Sequence, residues 1–268
     1  MSTSLTPGER QHYIRQMIVP GWGESGQERL KAARVLVIGA GGLGAPVLMY
    51  LAAAGVGTIG VADGDFVEIS NLHRQVIHGA DSLNRPKVAS AATRLRQSNP
   101  HIEIVEHMFP VNRDNAAELI GQYDLVADCT DNFPTRDAVA DACRRARVPL
   151  VSGAAQITDG TVTTFMPYRG ADHPCFRCLY PKPLDASVTP TCAEIGVVGP
   201  VLAVIGGLQA MEAIKEILSL GDSLSGRILV YDALSAKISE FALDKRSGCV
   251  CNAMENEAPQ AEPAFSRP

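Results

Sequence analysis

The chain has 268 residues, 46% of them hydrophobic and 20% charged, with a formal net charge of −5. That balance is ordinary for one large α/β domain or two small ones, and its acidity argues against a nucleic-acid surface. Residues 1–10 lack the apolar core of a secretory signal, and seven cysteines, an odd number, suit the reducing cytoplasm better than a disulfide framework.

Thr6 to Lys31 reads as a helical arm, broken at Pro20-Gly-Trp-Gly23. Val35 to Ile38 predicts a buried strand, Leu43 to Ala54 a helix and Thr58 to Ala62 a second strand, a first βαβ unit. A helix over Lys87 to Gln97 and a strand over Ile102 to Glu106 follow. Tyr123 to Asp128 then reads as a buried strand, Pro134 to Arg147 as a helix and Val148 to Val151 as a strand. After Ser152 the alternation fades, and Val162 to Met166, Ile228 to Tyr231 and Lys237 to Leu243 read as late, antiparallel strands. Val197 to Ile214 is almost long enough for a bilayer. Gly206 and Gly207, with Gln209, Glu212 and Lys215 at helical spacing, favour a buried helix with one wet end, so no membrane partner is expected. Pro181 to Thr191 reads as a mobile connection and the stretch from Asn252 as a disordered tail. The fold class is therefore α/β: a doubly wound, mainly parallel Rossmann-like sheet with antiparallel C-terminal strands, in one domain over residues 1–251.

Gly39, Gly41, Gly42 and Gly44 sit between the first strand and its helix, and Asp63 ends the second strand. Glycines there let backbone N–H groups approach a phosphate, and an acid about 20 residues on can hold a ribose. Such a fingerprint most often binds a dinucleotide. Arg74 and Lys87, close behind Asp63, instead suit the greater charge of a triphosphate, unless they are merely solvated surface cations. Asp131 follows the strand ending at Asp128, where it could manage Mg²⁺ or cap the next helix. No GxxxxGK[ST] run occurs, which excludes a Walker-type phosphate loop.

Taken together, Arg15-Gln-Met-Ile18, Gly39-Ala-Gly-Gly-Leu-Gly44, Asp63-Gly-Asp65, Ser70-Asn-Leu-His-Arg-Gln75, Arg85-Pro-Lys87, Asp128-Cys-Thr-Asp-Asn132 and Cys175-Phe-Arg-Cys178 resemble the ThiF/MoeB/HesA family of adenylating enzymes. The resemblance implies that Gly39, Gly41, Gly42 and Gly44 face ATP and that Asp63 binds the ribose. It gives Asn71, Arg74 and Lys87 to the phosphates, with Ser70, Leu72, His73 and Asn132 completing the nucleotide set and Asp131 managing Mg²⁺. Arg15 would reach into a partner subunit, which implies a homodimer. The implied reaction is ATP-dependent adenylation of the C-terminal glycine of a small ubiquitin-like sulfur-carrier protein, with sulfur then supplied by another protein. Rival readings are an NAD-dependent oxidoreductase, a peptide-adenylating enzyme and a non-catalytic nucleotide-binding scaffold.

Cys175 and Cys178 read as one half of a thiolate zinc site, of which Cys249 and Cys251 would be the other, unless the four are unrelated small or surface thiols. The second pair is CxC where the family usually has CxxC, a tighter chelate that could strain the site. Cys192 follows the proline-rich connection, where a cysteine in thiamine-pathway relatives can join covalently to the carrier. Cys129 and Cys143 read as core residues.

Overall fold

A computed structural model describes residues 4–182 and 195–256. The arm consists of two helices, α1 (Pro7–Met17) and α2 (Gly23–Ala32), separated at the break the sequence predicts. Thr6 starts α1 with a reciprocal cap: its hydroxyl accepts from the Glu9 N–H, and the Glu9 carboxylate accepts from the Thr6 N–H.

Eight strands form one sheet: β1 (Arg34–Ile38), β2 (Thr58–Ala62), β3 (Glu103–His107), β4 (Leu125–Asp128), β5 (Leu150–Gln156), β6 (Asp159–Phe165), β7 (Arg227–Asp232) and β8 (Lys237–Ala242). Their order is β3-β2-β1-β4-β5-β6-β7-β8. β1 to β5 run parallel, and β6, β7 and β8 continue the sheet antiparallel. Winding starts at β1, goes outward through β2 and β3, then returns to β4 on the other side. The crevice beyond the carboxyl ends of β1 and β4 is the switch point where such sheets bind ligands.

Both faces are covered. On one lie α3 (Gly44–Ala54), α4 (Lys87–Ser98) and the long α8 (Gly199–Leu218); on the other lie α5 (Ala116–Ile120) and α6 (Phe133–Ala146). A short α7 (Phe176–Leu179) occupies the CxxC loop. Val35, Leu36 and Val37 of β1 are wholly buried, as a strand covered on both sides requires.

Several expectations need correction. The polar residues of α8 do not mark a wet end: Gln209 and Glu212 are buried. The Gln209 amide donates to the Asp128 carbonyl at 2.9 Å, and the Glu212 carboxylate accepts from the Leu224 N–H and the Thr164 hydroxyl. α8 thus carries its own polar connections into the sheet. β5 does not stop at Val151 but runs on to Gln156 and turns directly into β6. The folded chain also passes Asn252, because Val250–Asn256 forms a 3-10 helix anchored by the fully buried Cys251. No described helix is long and apolar enough to cross a membrane.

Candidate active site

A cavity of about 470 Å³ opens at the switch point. Its floor is the turn after β1. Gly39 has φ +95°, and a Cβ there would press on the Cys129 carbonyl, so only glycine lets β1 and β4 close together beneath the loop. Gly39, Gly41 and Gly42 line the cavity. Gly44 does not: it begins α3, where a Cβ would strike the Gly39 carbonyl oxygen, so it keeps the loop tight from behind. Asp63 lines the cavity and braces the same loop, accepting from the Ala40 N–H at 2.8 Å and from the Asp65 N–H at 2.8 Å.

Arg74 and Lys87 also line the cavity. Lys87 opens α4, and its buried ammonium donates to the exposed Asp65 carboxylate at 2.8 Å. Ser70, Asn71, Leu72 and His73 are not among the lining residues; they stand behind Arg74. The Asn71 side chain is committed to the Glu68 N–H at 3.1 Å, while Arg74 donates to the Ser70 carbonyl and to the His73 ring. Farther along, buried His78 spans two elements, facing the Ala40 carbonyl through Nε2 and the Ser90 hydroxyl of α4 through Nδ1, each at 2.9 Å. Burial holds His78 below the ordinary histidine range, so the ring is neutral at neutral pH and donates through Nε2 to Ala40.

The β4–α6 loop supplies Asp131 and Asn132, both lining the cavity. Asn132, not Asp131, caps α6, its side chain accepting from the Thr135 N–H at 3.0 Å. Asp131 is exposed and has no hydrogen-bond or ion-pair partner among the described residues. The loop is held from below by Arg136, which donates to the Thr130 and Gly153 carbonyls beside buried Asp128. Arg136 and Gln75 line the cavity too, although the sequence did not single either out. Further wall comes from the β5–β6 hairpin (Ala154 to Gln156, Asp159 to Thr161) with Tyr180, Val197 and Leu202, and from Pro110 and Phe133.

Arg15 is exposed on α1, which contributes nothing to this cavity. Cys192 lies outside the described residues. Cys129 and Cys143 are core thiols, and burial pushes both upward.

The Sγ atoms of Cys175, Cys178, Cys249 and Cys251 lie within 4.8 Å of one another. The sulfurs are 3.9 Å apart within the first pair, 3.5 Å from Cys175 to Cys249 and 3.6 Å from Cys178 to Cys251. A tetrahedron with metal–sulfur bonds of about 2.3 Å has edges of about 3.8 Å. These four thiols fit that shape, and the shorter CxC spacing does not prevent it. A second support is in place, since the Arg246 N–H points at Cys178 Sγ at 3.4 Å. Burial, together with the neighbouring thiols, pushes Cys251 up to about 12 and raises Cys175, which a bound cation would oppose.

The sequence profile of the ThiF family matches residues 13–252. The chain is 47% identical over 249 residues to a Thermus thermophilus protein named sulfur carrier protein adenylyltransferase, covering 92% of each. It is 46% identical over 226 residues to a Zea mays protein named adenylyltransferase and sulfurtransferase MOCS3-2, covering 84% of this chain and 46% of that one. It therefore spans about half the length of that two-activity relative. Among solved structures, E. coli MccB with MccA-N7isoASN superposes with a TM-score of 0.77 at 20% identity, over 95% of this chain and 76% of that one, a likeness of fold. With the family profile matching residues 13–252 and a relative 47% identical over 92% of its length, the chain belongs to the ThiF family.

Proposed function

We propose that this chain is an ATP-dependent adenylyltransferase acting on the C-terminal glycine of a small ubiquitin-like sulfur-carrier protein. The observation that carries the reading is one cavity in which the glycine loop, Arg74 and Lys87 face the uncommitted carboxylate of Asp131. A carboxylate oxygen of the carrier attacks the α-phosphorus of ATP. The bond to the bridging oxygen of the β-phosphate breaks, pyrophosphate leaves, and an acyl adenylate remains. Both reactants are anions, so the protein's task is alignment and charge screening. Arg74 and Lys87 screen the phosphates, Lys87 exchanging Asp65 for them. Asp131 would hold Mg²⁺, which would supply positive charge against the departing pyrophosphate. Asp63 takes the ribose hydroxyls while bracing the loop.

The hairpin side of the cavity, Ala154 to Thr161 with Tyr180 and Val197, receives the carrier's tail. A second subunit supplies Arg15, and zinc in the four-cysteine cluster is structural because four protein ligands leave no open position. A sulfur-donating protein displaces AMP afterwards, in the cytoplasm.

Carrier-dependent exchange of labelled pyrophosphate into ATP tests the reaction. Exchange should require Mg²⁺ and an intact terminal glycine. No exchange with any Gly-Gly-ending carrier, or tighter binding of NAD than of ATP by calorimetry, would overturn the assignment.

A further inference from the structure

A second cavity, of about 560 Å³, opens beside the first. Phe133, Pro134, Thr135 and Tyr180 line both, so the first turn of α6 belongs to each. The rest of the second cavity joins the loop after β3 (Asn112 to Asp114) to α7 and Lys182. Its volume falls in the usual range for small-molecule sites.

Its charges do not balance. Arg113 and Arg177 reach the one carboxylate of Asp137 from different elements: Arg113 donates to Oδ2 at 2.6 Å, and Arg177 pairs with Oδ1. Asp137 is buried, so it holds both guanidinium groups in place but balances the charge of only one. Each guanidinium keeps N–H donors beyond those that Asp137 accepts. Lys182 is a third cation of the lining, without a partner among the described residues, and the exposed carboxylate of Asp114 pairs with none of the three. The lining thus sets three cations against two carboxylates. Beside them stand rings: buried Phe176 tilts against Tyr180 with centroids 4.8 Å apart, and half-buried Phe133 meets Tyr180 edge to face at 5.3 Å. Spare guanidinium donors next to ring faces suit a flat aromatic molecule that carries an anionic group.

We infer that this second cavity is a site for a nucleoside monophosphate, its phosphate on Arg113, Arg177 and Lys182 and its base against Phe133 and Tyr180. The choice of ligand rests on the reaction proposed above, which releases such a molecule, AMP, next door. A monophosphate suits the small surplus of positive charge; a triphosphate would bring more negative charge than the lining can meet. The site is separate from the glycine loop, Arg74 and Lys87, none of which lines it. Because Phe133 and Tyr180 line both cavities, AMP held there touches the wall of the first as well.

The experiment uses the full chain with its first cavity saturated by α,β-methylene ATP, which is not cleaved, and titrates AMP by calorimetry. The filled chain should bind about one further AMP, with adenosine and ribose 5-phosphate each about tenfold weaker or worse. Arg113→Ala with Lys182→Ala, both at exposed side chains, should weaken that AMP about tenfold, the loss of charge-assisted contacts, and leave affinity for the ATP analogue within twofold. Lys182→Ala alone, which breaks no pair, keeps the test readable if the double variant melts early. A filled chain that takes up no AMP, or takes it up equally well in a folded double variant, would overturn the site. Adenosine bound as tightly as AMP would overturn the place given to the phosphate, and ribose 5-phosphate bound as tightly would overturn that given to the base. Failure of the wild type to bind the ATP analogue at all would instead remove the reaction reading, and with it the choice of AMP.

Discussion

At Asp131 the two uses the sequence leaves open are separated by one residue. The cap of α6 belongs to Asn132, so Asp131 has no helix to start and, among the described residues, no partner to hold. Asp131→Ala should therefore abolish pyrophosphate exchange and leave the melting temperature almost unchanged, whereas losing the Asn132 cap would lower stability by about 1 kcal/mol. Exchange that survives within a few fold would leave Asp131 without a role in the chemistry. Of the residues singled out by type and spacing, Gly39, Gly41, Gly42, Asp63, Arg74, Lys87 and Asp131 meet in the one cavity. Gln75, His78 and Arg136 were not singled out, because nothing in a glutamine, a histidine or a helix arginine foretells burial. Their meaning lies in which partners they find, or fail to find, across the fold. Asn71 shows the converse: a polar residue inside the expected nucleotide motif whose Oδ1 closes its own turn by accepting from the Glu68 N–H.

At the scale of elements, strands and helices that follow one apolar period were readable, as β1 and β2 show. The failures occurred where tertiary contact overrides local preference. The small residues after Ser152 have weak strand propensity, yet β5 continues through them because α8 packs on them closely: a Cβ on Gly153 would collide with the Gln209 amide. The same helix deceived by its polar stripe, which faces inward. α7 is a single turn that places Cys175 and Cys178 one helical step apart, and the 3-10 turn at Val250 brings Cys251 to them. If that cluster holds zinc, protein purified without chelator should contain about one metal per chain. Cys251→Ser should lose it and melt at a lower temperature while keeping exchange within a few fold at low temperature. A folded, active wild type free of metal would assign the cluster to packing alone.

For the whole molecule, the cavity is built by elements distant in sequence but takes no side chain from the arm that carries Arg15. If Arg15 acts across a dimer, Arg15→Ala and Lys87→Ala proteins, each inactive, should regain part of the exchange activity when mixed, since one site of each mixed dimer would contain both residues. No recovery, with subunit exchange confirmed, would take Arg15 out of the reaction.

The separation between the paired cysteines also sets a timetable for synthesis. Cys175 waits 74 residues for Cys249, and Cys178 waits 73 for Cys251. The glycine loop, Asp63, Lys87 and Asp131 are all made before the first pair, whereas α8, which covers their sheet, is made between the pairs. Domains fold as they emerge from the ribosome, and incomplete ones expose apolar surface and strand edges. For this chain the vulnerable interval extends to the turn that carries Cys251. If the cluster holds a metal, a shortage of it in the cell would be felt at the close of folding: the candidate cleft's residues already made, and a C-terminal border still open to proteolysis.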